Sequence, residues 1–379
     1  MCGRRARSSQ AILLPRSSCE PYHLPARRLG GDLTWNRLSR PPGCGAGLPA
    51  VAALVLLVAG FGAVPQQTAA QRLLIVNKSS NTLSIVDPAA RQELSVVPTG
   101  FAPHEVAVSP DGLLAYVTDY GTGPEPGNTI TIIDLERGMS LGAMSLSPHT
   151  RPHGIVVASD GTIWVTTEGS RHVLHIDPIG RRILNEVRTS QEVTHQVAIS
   201  EEHQRVYTAN IGSGTSTVID AGTGRVLAHI QTGAGAEGID VSPDGNRVYV
   251  TNRGAGTLSE IDAASSRVIR TLPVGEFPIR VKMRPDGAEL LVSNARGSEV
   301  VAVSVVGWRV VRRLEMGAFP VGILITPDNE TAYVANTADD KVSIIDLVSW
   351  RVAGEIVTGD EPDGMAWVPA SPAGPSNRD

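Results

Sequence analysis

From residue 72 onward the chain repeats itself every 42 residues, and no other feature of the sequence constrains the fold as tightly. The segment Tyr249-Val250-Thr251-Asn252 has echoes ending at Asn77, Asp119, Glu168, Asn210, Asn294 and Asn336, and the series runs at spacings of 42, 49, 42, 42, 42 and 42. The single 49 comes from seven extra residues in the Tyr120 to Asn128 stretch, which is rich in Gly and Pro. Each unit reads as a short apolar strand, a tight turn such as Ser242-Pro243-Asp244-Gly245, an alternating strand, a third strand ending in Ile-Asp, and a fourth strand after an Arg-bearing turn. Four strands of about six residues with short connections fill such a unit. One four-stranded sheet cannot bury both of its faces alone, so the units must pack side by side in a ring.

The count predicts seven blades. Innermost strands begin at His104, His153, His195, Glu237, Ile279, Val321 and Asp363, and after the last of these the chain runs out. Residues 72–98, with LLIVN, TLSIVD and ELSVV, supply the three missing strands. The expected fold is all-β: a seven-bladed β-propeller of four-stranded antiparallel blades over residues 71–370, closed by N-terminal strands b, c and d and C-terminal strand a. Closure removes the free sheet edges that invite aggregation. The composition agrees, with 39 Gly and 26 Pro for turns and only 4% aromatic residues.

Ahead of the repeat the chain changes character. Residues 1–70 hold eight Arg, only two acids (Glu20 and Asp32), and all three cysteines, Cys2, Cys19 and Cys44. The net charge of −5 therefore divides into +6 for this leader and −11 for the rest. A cysteine-free, acidic repeat region has no disulfide framework, thiolate metal site or Cys nucleophile, and no basic footprint for nucleic acid. The apolar run Val51 to Val64 is shorter than the roughly 20 residues of a bilayer span and suits a signal-peptide core. The expectation is a basic leader over 1–47, disordered or a mis-assigned start, then a signal-peptide core and cleavage region over 48–70 and a disordered tail over 371–379. The protein is expected to be exported, periplasmic or extracellular, without a membrane span in its mature body; the alternative is an anchor formed by an uncleaved 48–64 segment.

The tetrapeptides at 249–252 (YVTN) and 333–336 (YVAN), together with the Ser-Pro-Asp-Gly turn, give residues 72–368 a resemblance to the YVTN-type seven-bladed β-propeller repeat proteins. That family occurs in bacterial and archaeal envelopes as surface-layer, periplasmic or secreted proteins. The resemblance implies the ring fold, an envelope setting and, most often, a binding role. Residues Arg151 to Gly169 (RPHGIVVASDGTIWVTTEG) also resemble repeats of propellers that include virginiamycin lyase and sugar lactonases.

Shared residues of a repeat build the blade, so function is sought where equivalent positions differ. At the head of the innermost strand the ring order is Asp363, His104, His153, His195 and Glu237 on five adjacent blades, then Ile279 and Val321. The next residue is Gly in four blades (Gly154, Gly238, Gly322 and Gly364), as close approach near an axis requires. A second ring at the end of the following strand is Asn except for Asp119 and Glu168, and the insertion bearing Tyr120 and Glu125 rises on the same side. Imidazoles with carboxylates suit a divalent metal, so His104, His153, His195, Glu237 and Asp363 are candidate ligands for Zn²⁺, Cu²⁺ or Mn²⁺. Asp119 or Glu168 is then a candidate base. The alternative is structural, with each His bonding the neighbouring blade and finishing the channel wall. Trp308 and Trp350, in equivalent turns on the opposite face, either dock a partner or pack over outer strands.

The reading that follows is an exported binding or scaffold protein whose protein or small-molecule partner in the cell envelope meets the channel-mouth face of His104, His153, His195, Glu237 and Asp363, rimmed by Tyr120. A metal-dependent lyase or lactonase using the same cluster is the alternative, and an accessory to a periplasmic electron-transfer or oxidation system is the second. No P-loop, nucleophile elbow, dinucleotide fingerprint or haem-attachment motif is present in the sequence.

Overall fold

Among the described residues, 28 strands form seven four-stranded antiparallel sheets. The computed structural model describes residues 71–370, so the expected leader, signal-peptide core and C-terminal tail lie outside the described residues. Six sheets use four consecutive strands each. The seventh is composite: Pro362–Val368 pairs antiparallel with Arg72–Asn77, from Arg72 opposite Val368 to Asn77 opposite Pro362, followed by Thr82–Asp87 and Gln92–Pro98. The ring closes as the repeat count predicts. Outside the strands the described residues contain one short 3₁₀ turn, Thr337–Asp339, and no helix long and apolar enough to cross a membrane.

Hydrophobic patterning explains why the sheets stand side by side. Second and third strands such as Arg247–Asn252 and Thr257–Asp262 are buried on both faces, whereas fourth strands such as Arg267–Pro273 alternate between exposed and half-buried. Each gap between neighbouring blades holds its own apolar cluster; Tyr249, Leu258, Val281, Leu290 and Val301 fill the one between blades four and five. The tyrosines of the repeated tetrapeptide, Tyr116, Tyr207, Tyr249 and Tyr333, all belong to these cores. Trp308 and Trp350 also pack across blades, each ring 4.5 Å from the guanidinium of Arg270 and Arg312 respectively on the preceding blade's outer strand.

Near the axis, backbones approach closely. A Cβ on Gly322 would stand 2.0 Å from the carbonyl oxygen of Asp363, and one on Gly364 would stand 2.5 Å from that of His104. Hydroxyls of the repeated tetrapeptide stitch the blades together: Thr118 donates to the carbonyl of His153 at 2.9 Å, Thr251 to that of Ile279 at 3.0 Å, and Ser293 to that of Val321 at 2.8 Å.

One further ring sets the shape of the mouth. Ala102, Arg151, Val193, Gly235, Phe277, Phe319 and Glu361, each two residues before an innermost-strand head, all have φ between 45° and 73°. Their carbonyls accept the backbone N–H of Tyr120, Glu168, Ile211, Arg253, Ala295, Thr337 and Lys78 in turn, at 2.9 to 3.2 Å. The left-handed conformation is costly for Phe and for β-branched Val, and the sevenfold hydrogen-bond ring holds it in place.

Candidate functional site at the channel mouth

The ring of identical bonds fixes which residues are equivalent, and it corrects one expectation. Glu168 does not occupy the Asn position of blade two. Thr167 pairs with Pro152 there, just as Asp119 pairs with Pro103 and Asn252 with Ala236. The first hairpin of blade two is one residue shorter, closing from Ala158 to Thr162 where blade one closes from Ser109 to Leu114. Glu168 therefore takes the next position, equivalent to Tyr120 and Arg253, whose side chains reach the mouth.

Asp119 does occupy the Asn position and lies apart from the histidines. Its carboxylate accepts from Thr129 Oγ1 at 2.7 Å, Thr131 Oγ1 at 2.9 Å and the backbone N–H of Gly100 at 2.9 Å, which makes it the blade's internal clasp, as Asn252 is through Thr257 and Ser259. Burial raises its pKa to about 6 against the pull of those donors.

The three histidines form a stack across blades one to three. Ring centroids are 4.6 Å apart for His104 and His153 and 3.7 Å for His153 and His195. Carboxylates hold both ends. His104 Nδ1 donates to Asp363 Oδ2 at 3.1 Å, across the seam between blade one and the composite blade. His195 Nδ1 donates to Glu168 Oε1 at 2.5 Å, and its Nε2 lies 3.6 Å from Glu237 Oε1. Tyr120 closes the sector from above: its hydroxyl donates to Glu168 Oε2 at 2.6 Å and its ring stands edge-on to His104 at 4.6 Å. Arg253 Nη1 lies 2.9 Å from Glu237.

These contacts set the protonation of the stack. Burial works against charge on His195, but the hydrogen bond and charge of Glu168, with Glu237 behind it, raise its pKa above the ordinary imidazole value. Burial would raise Glu168, and His195 and Tyr120 outweigh it, so Glu168 is lowered. Burial alone lifts Glu237. His153, in the middle, is held well below the ordinary value by burial and then by its two imidazole neighbours, so it is neutral. Its Nδ1 is buried without a hydrogen-bond partner.

The stack lines one side of a cavity of about 230 Å³ over the axis. The opposite wall is apolar, made by Phe277, Ile279, Phe319 and Val321, and Lys78 and Arg253 stand at the rim. Below it, Arg280 reaches across the axis to Glu105, and Gln196 Nε2 donates to the same Glu105 Oε1 at 2.6 Å. This cross-tie separates the mouth from a second cavity of about 460 Å³ that opens on the other face beside Glu202 and Pro243. Glu105, Gln196 and Arg280 are the three residues standing where the other four blades have Gly154, Gly238, Gly322 and Gly364. The sequence thus marks them as exceptions, although their meeting across the ring is visible only in three dimensions.

Of the residues expected on this face, His104, His153, His195, Glu237, Asp363 and Tyr120 all come together. The group whose donor atoms lie close enough to share a metal is narrower and differs from the expected set: His153, His195 and Glu168, all within 4.8 Å of one another. His104, Asp363 and Glu237 lie outside that group, and within it His195 Nδ1 donates to Glu168.

Comparison with known proteins supports the architecture. The Phytase-like family, described as esterase-like activity of phytase, matches residues 150–313, less than half of the chain. No curated protein matches the sequence. Among solved structures, the chain is similar to Kuenenia stuttgartiensis hydrazine synthase, at 19% identity and a TM-score of 0.61 over 69% of this chain and 88% of that one. It is also similar to the dihydro-heme d1 dehydrogenase NirN in complex with DHE, at 14% identity and a TM-score of 0.58 over 78% of this chain and 74% of that one. A functionally unknown protein from Desulfotomaculum acetoxidans has a TM-score of 0.68 at 12% identity, over 79% of this chain and 99% of that one. At these identities the likeness is one of fold: a seven-bladed propeller.

Proposed function

We propose that the protein is an exported binding propeller of the cell envelope that captures a small ligand in its channel mouth. The observation that carries the reading is the two-sided cavity: a stack of imidazoles and carboxylates faces an apolar wall of Phe277, Ile279, Phe319 and Val321. Such a wall with a few convergent polar groups is the usual make-up of a small-molecule site. Its volume of about 230 Å³ is below the ~300–1,000 Å³ of drug-sized pockets, so the guest is compact. The cross-tie beneath forms a floor, so the guest enters and leaves by the mouth. Export rests on the apolar run at 51–64 and on the resemblance to envelope propellers.

A thermal-shift screen of compact metabolites carrying both an apolar and a polar end tests the reading. Stabilising compounds should lose their effect in Phe277→Ala and keep it in Lys282→Ala, which alters only the lower cavity. Compounds that stabilise both variants equally would place binding elsewhere and sink the reading. The second reading, a metal-dependent lyase or lactonase, is favoured by one observation, the closeness of His153, His195 and Glu168. It requires that an ion be held there.

A further inference from the structure

The geometry points to a site for a divalent first-row transition metal formed by His153, His195 and Glu168, on the polar wall of the mouth. It rests on the reading of the mouth as the working face. Three independent features converge. Two imidazoles and one carboxylate present donor atoms within 4.8 Å of one another. In a tetrahedral site with bonds of about 2.0–2.1 Å, donors stand roughly 3.4 Å apart, so the three side chains need to draw in by only about 1–1.5 Å. Second, the middle imidazole has an unsatisfied atom: His153 is 4% exposed and its Nδ1 has no hydrogen-bond partner among the described residues. Buried polar atoms of this kind call for an explanation, and an ion supplies one.

The third feature is the register of blade two. One residue per blade follows the Asn ring, and of the seven (Lys78, Tyr120, Glu168, Ile211, Arg253, Ala295 and Thr337) only Glu168 is a carboxylate. The shortened hairpin that places it there sets an anionic donor against His195, with a donor atom of His153 within 4.8 Å of both. Tyr120, bonded to Glu168 Oε2, acts as the outer partner that orients a ligating carboxylate. Two imidazoles and one carboxylate are the donor set of open zinc sites, and His153 and His195 both line the cavity.

The test uses the whole protein, dialysed against chelator and titrated with Zn²⁺ by calorimetry, with Co²⁺ as the spectroscopic probe. One equivalent of Zn²⁺ should bind, and Co²⁺ should give the visible absorption of a four- or five-coordinate ion. His153→Ala and Glu168→Gln should each weaken binding by at least about a hundredfold, the upper end of what losing an outer partner costs. His149→Ala, in the separate His149, His172 and Glu186 group, should bind as the parent does. No uptake by the parent, or equal uptake by His153→Ala, overturns the site. Should His153→Ala fail to fold, Glu168→Gln decides, since it keeps a hydrogen-bonding side chain beside His195 and Tyr120. The titration needs no guest, so its failure is read separately from the Phe277→Ala result that tests the mouth itself.

Discussion

Replacing Asp119 with Asn, the residue that five other blades carry at this position, should stabilise the propeller, and the effect should depend on pH in a defined direction. Asp119 is 1% exposed, and burial raises its pKa from 3.8 to about 6 even though Thr129, Thr131 and Gly100 donate to it. A raised carboxyl pKa means that the folded state holds the proton more tightly than the unfolded chain does. Its contribution to stability is therefore fully present below pH 3.8 and is lost as pH rises through about 6. A shift of this size corresponds to about 3 kcal/mol between those limits. Asn removes the titration and supplies the N–H donors with which Asn252 bonds Thr257 and Ser259. Urea unfolding followed by Trp fluorescence at pH 4, 6 and 8 should show Asp119→Asn ahead by up to about 3 kcal/mol at pH 8, with the advantage shrinking toward pH 4. An advantage that does not change with pH, or a variant weaker than the parent at pH 8, would refute the reasoning.

Three other outcomes follow from the axis. Gly322→Ala should destabilise by about 1–3 kcal/mol in the same unfolding assay, because the new methyl meets the carbonyl of Asp363 at 2.0 Å. Arg280→Met should cost up to about 3 kcal/mol, the low end of a buried-pair loss, by leaving the half-buried Glu105 without its cation, and adding Glu105→Gln should recover part of that loss; a strictly additive double variant would argue against the cross-tie. Deleting residues 362–379 removes the inner partner of Arg72–Asn77, and the truncated chain should elute as aggregate in size-exclusion chromatography rather than as a monomer.

The ring itself is legible in the sequence because its period is imposed by local pairing. Every hairpin carries its own turn signal, and the composite blade follows from counting strands. The inner ring from Asp363 to Glu237 is legible for the same reason, since equal spacing becomes equal position. Glu168 is not, because the register of blade two shifts by one residue at the turn and shifts back in the 189–193 loop, leaving the overall spacing at 42. The missing residue lies just after the turn, where Thr162 follows Gly161 directly while blade one has Leu113 between Gly112 and Leu114, but only pairing reveals its effect. The union of Glu105 with Arg280 joins residues 175 apart, and no local preference encodes it. Phe277 and Phe319 lie at left-handed positions that local propensity disfavours for aromatic residues, and ring-wide bonding overrides it.

The composite blade makes the mouth a property of the whole chain. Asp363 arrives with the final strand and its partner His104 with the first complete blade, so the polar wall is assembled only once that strand has docked. A guest that needs the finished wall binds the closed ring and not the open one. Such a guest fastens the seam by mass action: at a hundred times its dissociation constant it adds about 2.7 kcal/mol against opening. Occupancy would then serve as a latch, and the seam would resist proteolysis in proportion to the ligand at hand.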